Sequence, residues 1–430
     1  MQFTAQQIEQ YKSRYVQLAK RSVVKGGHLD FEDLWNGSRP LVNEIIKHSK
    51  MKEVITISGI FWLIKNSLDQ LHQSHKDIGD FKFSEKISIG ELDEAADKFI
   101  NLLEGLPYEH FFYFRFPIKL PENLFLISLT NNVKIVRPKL AEKNSFVIPS
   151  PLSSLAEASL GKIPFSVDDN DVFFKVKTLG YGDPAQTSAI TILKQFLYLV
   201  DASGLLTSKS WDRRDARLFE NNRYQIPSIE GNDLQSFTLS SETALYISGL
   251  KLDNKKFEGF EPVKENESHT ILGGLFGYKN FEDFFESKFI DGCRNFIKLQ
   301  NEKKAVDRDH IFSAIEWGFD GNANPNETMG FIQICIGLEA LLGDKDERKD
   351  QNQRGLTEKL ADRCAYLLGN TPNERKKQAD EFKKIYDLRS KLIHGVWPKV
   401  TDEQYETIMT AEYLLKCLVY KELWLSENLT

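Results

Sequence analysis

Apolar residues recur every three to four positions along 5–20, 39–47, 53–73 and 89–103, which predicts amphipathic helices through most of the first hundred residues. The pattern then changes. Segments 110–118 (HFFYFRFPI), 124–129, 132–136 and 171–176 are dense in aromatic and β-branched residues and bounded by Pro, Asn and Asp, so they read as strands. After GYGDP, segment 185–199 (AQTSAITILKQFLYL) returns to helical periodicity. A strand pair at 236–239 and 243–250 precedes a loop of mixed charge at 253–268. From 281 onward strand signals vanish, and helices are expected at 281–299, 310–319, 328–342 and 356–368. The charged run 343–355 (GDKDERKDQNQRG) can bury no face and reads as a solvated loop. Two further helices carry start signals: Thr371-Pro-Asn-Glu374 and Thr401-Asp-Glu-Gln404 each place a hydroxyl at the cap and an acid or amide three residues on. Gly395, with Pro398 soon after, ends the first of them.

This sequence of elements implies two regions. Residues 1–300 form an α+β region with a mixed or antiparallel sheet: 1–106 mainly helical, 107–280 strands with a central helix, and 281–300 a connecting helix. Residues 301–430 form an all-α bundle of about five helices.

Composition narrows the classes. At 430 residues with 41% hydrophobic and 12% aromatic content, the chain has ample material for buried cores. No run of about 18 uncharged apolar residues occurs, and the opening MQFTAQQIEQYKSRYVQLAK lacks the basic-then-apolar order of a signal peptide. A cytoplasmic protein with no membrane association is expected. Cys293, Cys335, Cys364 and Cys417 show no metal-ligand spacing and read as buried free thiols. The net charge of −6 excludes a general basic coat for nucleic acid. From Ala305 to Thr430 there are 17 basic and 22 acidic residues, so any nucleic acid has to be held at a local site.

The candidate chemistry lies in Asp387-Leu-Arg389-Ser-Lys-Leu-Ile-His394-Gly395. An Arg and a His five positions apart are weak evidence alone; their placement says more. At about 100° per residue, Phe382, Ile385, Leu388 and Leu392 make an apolar face centred near Ile385, and Arg389 falls only about 40° from that centre. A guanidinium there needs an anionic partner. The apolar helix 331–342 offers Glu339. Lys377, Lys384 and Lys391 recur every seven residues and form a basic stripe running towards His394. Plainer readings stand beside these. Arg389 with Glu339 forms a structural buried pair, His394 stabilises the helix dipole, and the lysines line a solvated face. His310 and Glu316 are further candidates or surface residues. His72, His75, Asp77 and Asp80 could hold a metal, or owe their types to a loop.

The segments IGLEALL (336–342) and LRSKLIHG (388–395) resemble the HEPN superfamily, in particular the Apea-like HEPN domain of bacterial anti-phage proteins. The resemblance covers under a third of the chain. It implies an all-α HEPN bundle and a metal-independent endoribonuclease acting on single-stranded RNA or tRNA, with Arg389 and His394 catalytic and Ser390, Lys391 and Glu339 in support. Lys377 and Lys384 would contact RNA. It also implies a homodimer through this bundle, and defence by abortive infection in response to a phage-derived trigger sensed by residues 1–300. No cofactor or metal is expected. Ser390 departs from the Asn, Asp or His common after the Arg. Competing functions are a non-catalytic dimerisation or binding scaffold, and a metal-dependent hydrolase in the N-terminal region. The basic loop Trp211 to Arg217 is a further candidate RNA contact or a salt-bridged surface segment.

Overall fold

The computed structural model describes residues 3–47, 51–52, 54–75, 79–116, 126–136, 172–180, 183–204, 206–208, 260–262, 281–302, 309–324, 326–343 and 355–425. These residues are mostly helical, with small antiparallel sheets.

The first apolar core gathers residues between Phe3 and Leu106. Helix α1 (Ala5–Arg21) starts where Thr4 accepts from the Gln7 backbone and Gln7 reaches back, a reciprocal cap. It packs with α2 (Phe31–Lys47), α3 (Ile57–His75), the single turn α4 (Phe83–Lys86) and α5 (Ile89–Glu104) around Tyr15, Phe61, Phe83 and Phe99. Ser88 and Glu91 cap α5 by the same reciprocal arrangement. The Tyr15 hydroxyl is not orphaned, lying 2.7 Å from Ser67 Oγ. Between the helices lies a three-stranded sheet, β1 (Val23–Lys25), β2 (His28–Leu29) and β3 (Phe81–Lys82), in the order β2-β1-β3. Its hairpin turns on Gly26 and Gly27, at φ of 56° and 79°, the left-handed conformations that a two-residue hairpin loop demands. Periodicity did not predict this sheet, because its strands are too short to alternate. Helix α2 begins eight residues before the expected 39, since Pro40 is accommodated inside it.

The second core runs from Leu129 to Leu423. Its sheet has β4 (Tyr108–Phe116), β5 (Leu126–Ser128), β6 (Val133–Val136) and β7 (Val172–Gly180) in the order β4-β7-β6-β5, every pair antiparallel. The register pairs Phe174 with position 114 of β4 and with Ile135 of β6. Helix α6 (Asp183–Ala202) and helix α7 (Phe281–Glu302) cover it, with Phe174, Phe196 and Phe296 packed ring to ring at centroid separations of 4.6 and 5.3 Å. The same apolar cluster continues into α8 (Asp309–Ala323), α9 (Glu327–Leu342), α10 (Leu356–Leu368), α11 (Pro372–Ile393) and α12 (Tyr405–Leu425). The apolar core therefore crosses position 300 without a break, and α6 is part of the packing of the C-terminal helices. Polar ties cross there too: Lys194 meets Asp320 at 2.7 Å, and the Tyr420 hydroxyl donates to the Leu199 carbonyl at 2.9 Å.

Helices α8 and α9 approach closely because their contact is made of glycines. A Cβ on Gly330 would lie 2.6 Å from the Gly321 carbonyl oxygen. A further strand pair joins β8 (Leu206–Ser208) to β9 (Phe260–Pro262), the latter within the segment expected as loop. The expected strands 236–239 and 243–250, the charged run 344–354 and the Trp211 to Arg217 segment lie outside the described residues. No described helix is long and apolar enough to cross a membrane.

Candidate functional site

Helix α11 carries the Arg389–His394 pair and is held at both ends. At its start the Thr371 side chain accepts from Glu374, while the Glu374 carboxylate accepts from the backbone of Thr371 at 3.1 Å and Asn370 at 2.8 Å. At its end His394 is the C-cap residue, Gly395 takes a φ of 70°, and the Trp397 N–H folds back on the Lys391 carbonyl at 3.1 Å. Phe382, Ile385, Tyr386, Leu388 and Leu392 are buried, so the apolar face is the one its spacing predicts, widened by Tyr386.

Arg389 sits at the margin of that face, its side chain 24% exposed. Its Nη2 lies 2.8 Å from Glu339 Oε1 on α9, the partner that the sequence singles out. The same oxygen accepts from the Tyr386 hydroxyl at 2.5 Å. The guanidinium stands 5.5 Å from the centre of the Tyr386 ring, which stacks in turn on Phe382. Arg389 Nε is enclosed and has no acceptor among the described residues. Burial, followed by the hydrogen bond to Glu339, raises the Tyr386 phenol well above its ordinary pKa, so it remains a donor. Beneath this group lies Cys335, its thiol also raised by burial. Tyr386 was not singled out in the sequence; its position three residues before Arg389 is the signal that could have found it.

His394 and Ser390 are exposed, and neither side chain has a hydrogen-bond partner among the described residues. They do not join the Arg389–Glu339–Tyr386 group. The imidazole stands at the open end of the helix, between the exposed Ile393 and Val396. Lys391 pairs with Asp387 at 2.6 Å and lies 4.9 Å from the Trp397 ring centre. Lys377 is 3.8 Å from Glu381, and the exposed Lys384 has no ion pair among the described residues. The stripe is thus partly matched by acids of its own helix.

The other candidates lie on other elements. His310 and Glu316 are half-buried on α8. His75 lies 3.1 Å from Glu91, the His72 ring neighbours Phe81, and Asp80 accepts from the Gly26 N–H at 2.6 Å. Asp77 is outside the described residues, among which no group of three or more His, Cys, Asp or Glu is placed to hold a metal.

A second polar cluster went unseen in the sequence. Asp201 at the end of α6 is buried, with Oδ2 2.8 Å from Lys416 Nζ on α12 and 3.3 Å from the donating Asn322 amide on α8. Asp201 Oδ1 and Asn322 Oδ1 are buried without a donor among the described residues. Burial pushes the Asp201 carboxyl above its ordinary range, only partly offset by Lys416. For Lys416, burial alone would lower the pKa, but Asp201 and Glu412 outweigh it and raise it. A single ammonium thus stands near two buried carboxylates.

Comparison with known protein families, with curated proteins and with solved structures finds no match.

Proposed function

We propose that the chain is a metal-independent endoribonuclease of the HEPN type, with Arg389 and His394 as its catalytic pair. The observation that supports this most directly is the arrangement on α11. An arginine is clamped by Glu339 and Tyr386 at the edge of the core, and five residues on a histidine stands exposed at the helix end, with no side-chain partner among the described residues. A guanidinium so held can meet the non-bridging oxygens of a phosphate as charge develops there. An exposed imidazole can accept a proton from one oxygen and give one to another.

RNA brings its own nucleophile. The 2′-oxygen bonds to phosphorus as its proton passes to a neutral His394. The bond from phosphorus to the 5′-oxygen breaks, and the departing oxygen takes a proton from a second imidazolium. The products are a 2′,3′-cyclic phosphate and a 5′-hydroxyl. A two-fold pairing of chains through this bundle would supply the second imidazolium, and the apolar Ile393 and Val396 beside His394 suit such a contact. In this reading residues 1–300 choose the target or sense a phage-derived trigger in the cytoplasm. A second reading has a specific observation in its favour. The Arg389–Glu339 pair is complete within one chain, as a scaffold without catalysis would require.

The test is cleavage of single-stranded RNA or tRNA by purified protein in EDTA, with analysis of product ends. His394→Ala should abolish cleavage without unfolding the protein, because the side chain is exposed. Cleavage that survives both Arg389→Lys and His394→Ala removes the site assignment, and folded protein that never cuts favours the scaffold.

A further inference from the structure

The Arg389 side chain has four rotatable bonds, so a single contact at Nη2 would leave its guanidinium free to pivot about Glu339. Two features on the same helix prevent that. The Tyr386 ring lies against the guanidinium at 5.5 Å, and its hydroxyl engages the very oxygen that meets Arg389, at 2.5 Å. One carboxylate oxygen therefore receives two donors, and Glu339 is held end-on to Nη2. Its alternative is the side-on fork, in which a carboxylate takes Nη2 and Nε together, usually the stronger pairing for arginine. That fork is not formed, since Nε is enclosed without an acceptor. Nε is thus shut away, and Nη1, which has no partner among the described residues, is the nitrogen left for a phosphate.

We infer that Tyr386 is a positioning residue: by sharing Glu339 Oε1 with Arg389 Nη2, its hydroxyl holds Glu339 end-on and fixes the bearing with which the guanidinium meets RNA phosphate. This rests on the ribonuclease reading above. Tyr386 touches no reacting atom in this scheme; it acts through Glu339. The burial of Tyr386 suits the role, because a ring fixed among Phe382 and Cys335 cannot swing away when the guanidinium is loaded.

The decisive variant is Tyr386→Phe, which retains the ring and deletes only the hydroxyl. Three measurements on the full chain separate positioning from general damage. The first is kcat and KM on a single-stranded RNA in EDTA, where kcat should fall about tenfold to a hundredfold with little change in KM and in thermal unfolding. The second is the rate preference between the two stereoisomers of a phosphorothioate at the scissile linkage, which should shrink as the guanidinium loses its fixed bearing. The third needs no turnover: the Arg389 Nε–H resonance, assigned by its loss in Arg389→Lys, should move downfield as Glu339 closes onto it. Wild-type kcat, an unchanged stereoisomer preference and an unmoved Nε–H in Tyr386→Phe overturn the inference while leaving the ribonuclease intact. If His394→Ala cuts as well as wild type, the ribonuclease reading itself fails and this inference with it.

Discussion

Replacing Lys416 with Met tests the buried joint between α6, α8 and α12. The substitution keeps most of the side-chain volume and removes the ammonium. It leaves Asp201, buried among apolar neighbours, with a single amide donor at 3.3 Å, and leaves Glu412 beside it without the lysine. Removing one member of a buried ion pair typically costs about 3–5 kcal/mol, and the loss of the ammonium from buried Asp201 puts Lys416→Met in that range. Asp201→Asn should cost less, for two reasons. Lys416 retains Glu412 as a counter-charge. The new amide also brings N–H groups to a place where two buried oxygens lack a donor. The double variant should recover much of the loss, with a coupling of about 1–3 kcal/mol between the two positions. Urea unfolding followed by circular dichroism measures all four proteins, each reduced to a midpoint and slope. Additive single effects below about 1 kcal/mol would refute the claim that this pair is a coupled, desolvated unit.

The raised pKa of Lys416 fixes a sign for alkaline unfolding. Its stabilisation is fully present below the unfolded ammonium pKa of about 10.4 and is lost as pH rises through the higher folded value, so Lys416→Met should lose less stability across that window than wild type. Gly330→Ala forces a Cβ to within 2.6 Å of a backbone oxygen of α8 and should cost about 1–3 kcal/mol in urea unfolding, since the helices must separate. The thiols of Cys293 and Cys364 are pushed up to about 12 by burial, so native protein at pH 8 should leave both unlabelled by a maleimide until urea opens the second core.

How far the site could be read from sequence depends on the kind of interaction. The apolar face of α11, its Thr371 cap and its Gly395 stop are local, set by spacing and backbone chemistry within a turn or two, and the structure places them where the pattern does. The tie from Arg389 to Glu339 was legible because a charge on an apolar face admits few partners, and α9 offers little else. Tyr386 was not, because aromatic residues on a helix read as core and nothing local reveals that a hydroxyl will meet a carboxylate 47 positions away. Asp201 and Lys416 lie farther apart still, and each alone looks like an ordinary surface charge at a helix end or on a polar face.

By itself the sequence determined the identity and extent of most helices, the β4-to-β7 strand segments and the residues that could do chemistry, since periodicity, caps and residue type act over a few positions. Only the tertiary structure decided what those elements bury against. It joined α6 and α7 to the C-terminal helices in one core, buried Asp201 with Lys416, and held Glu339 end-on to Arg389 beneath Tyr386. These outcomes turn on desolvation and on donors reaching acceptors across long separations, which no local pattern encodes.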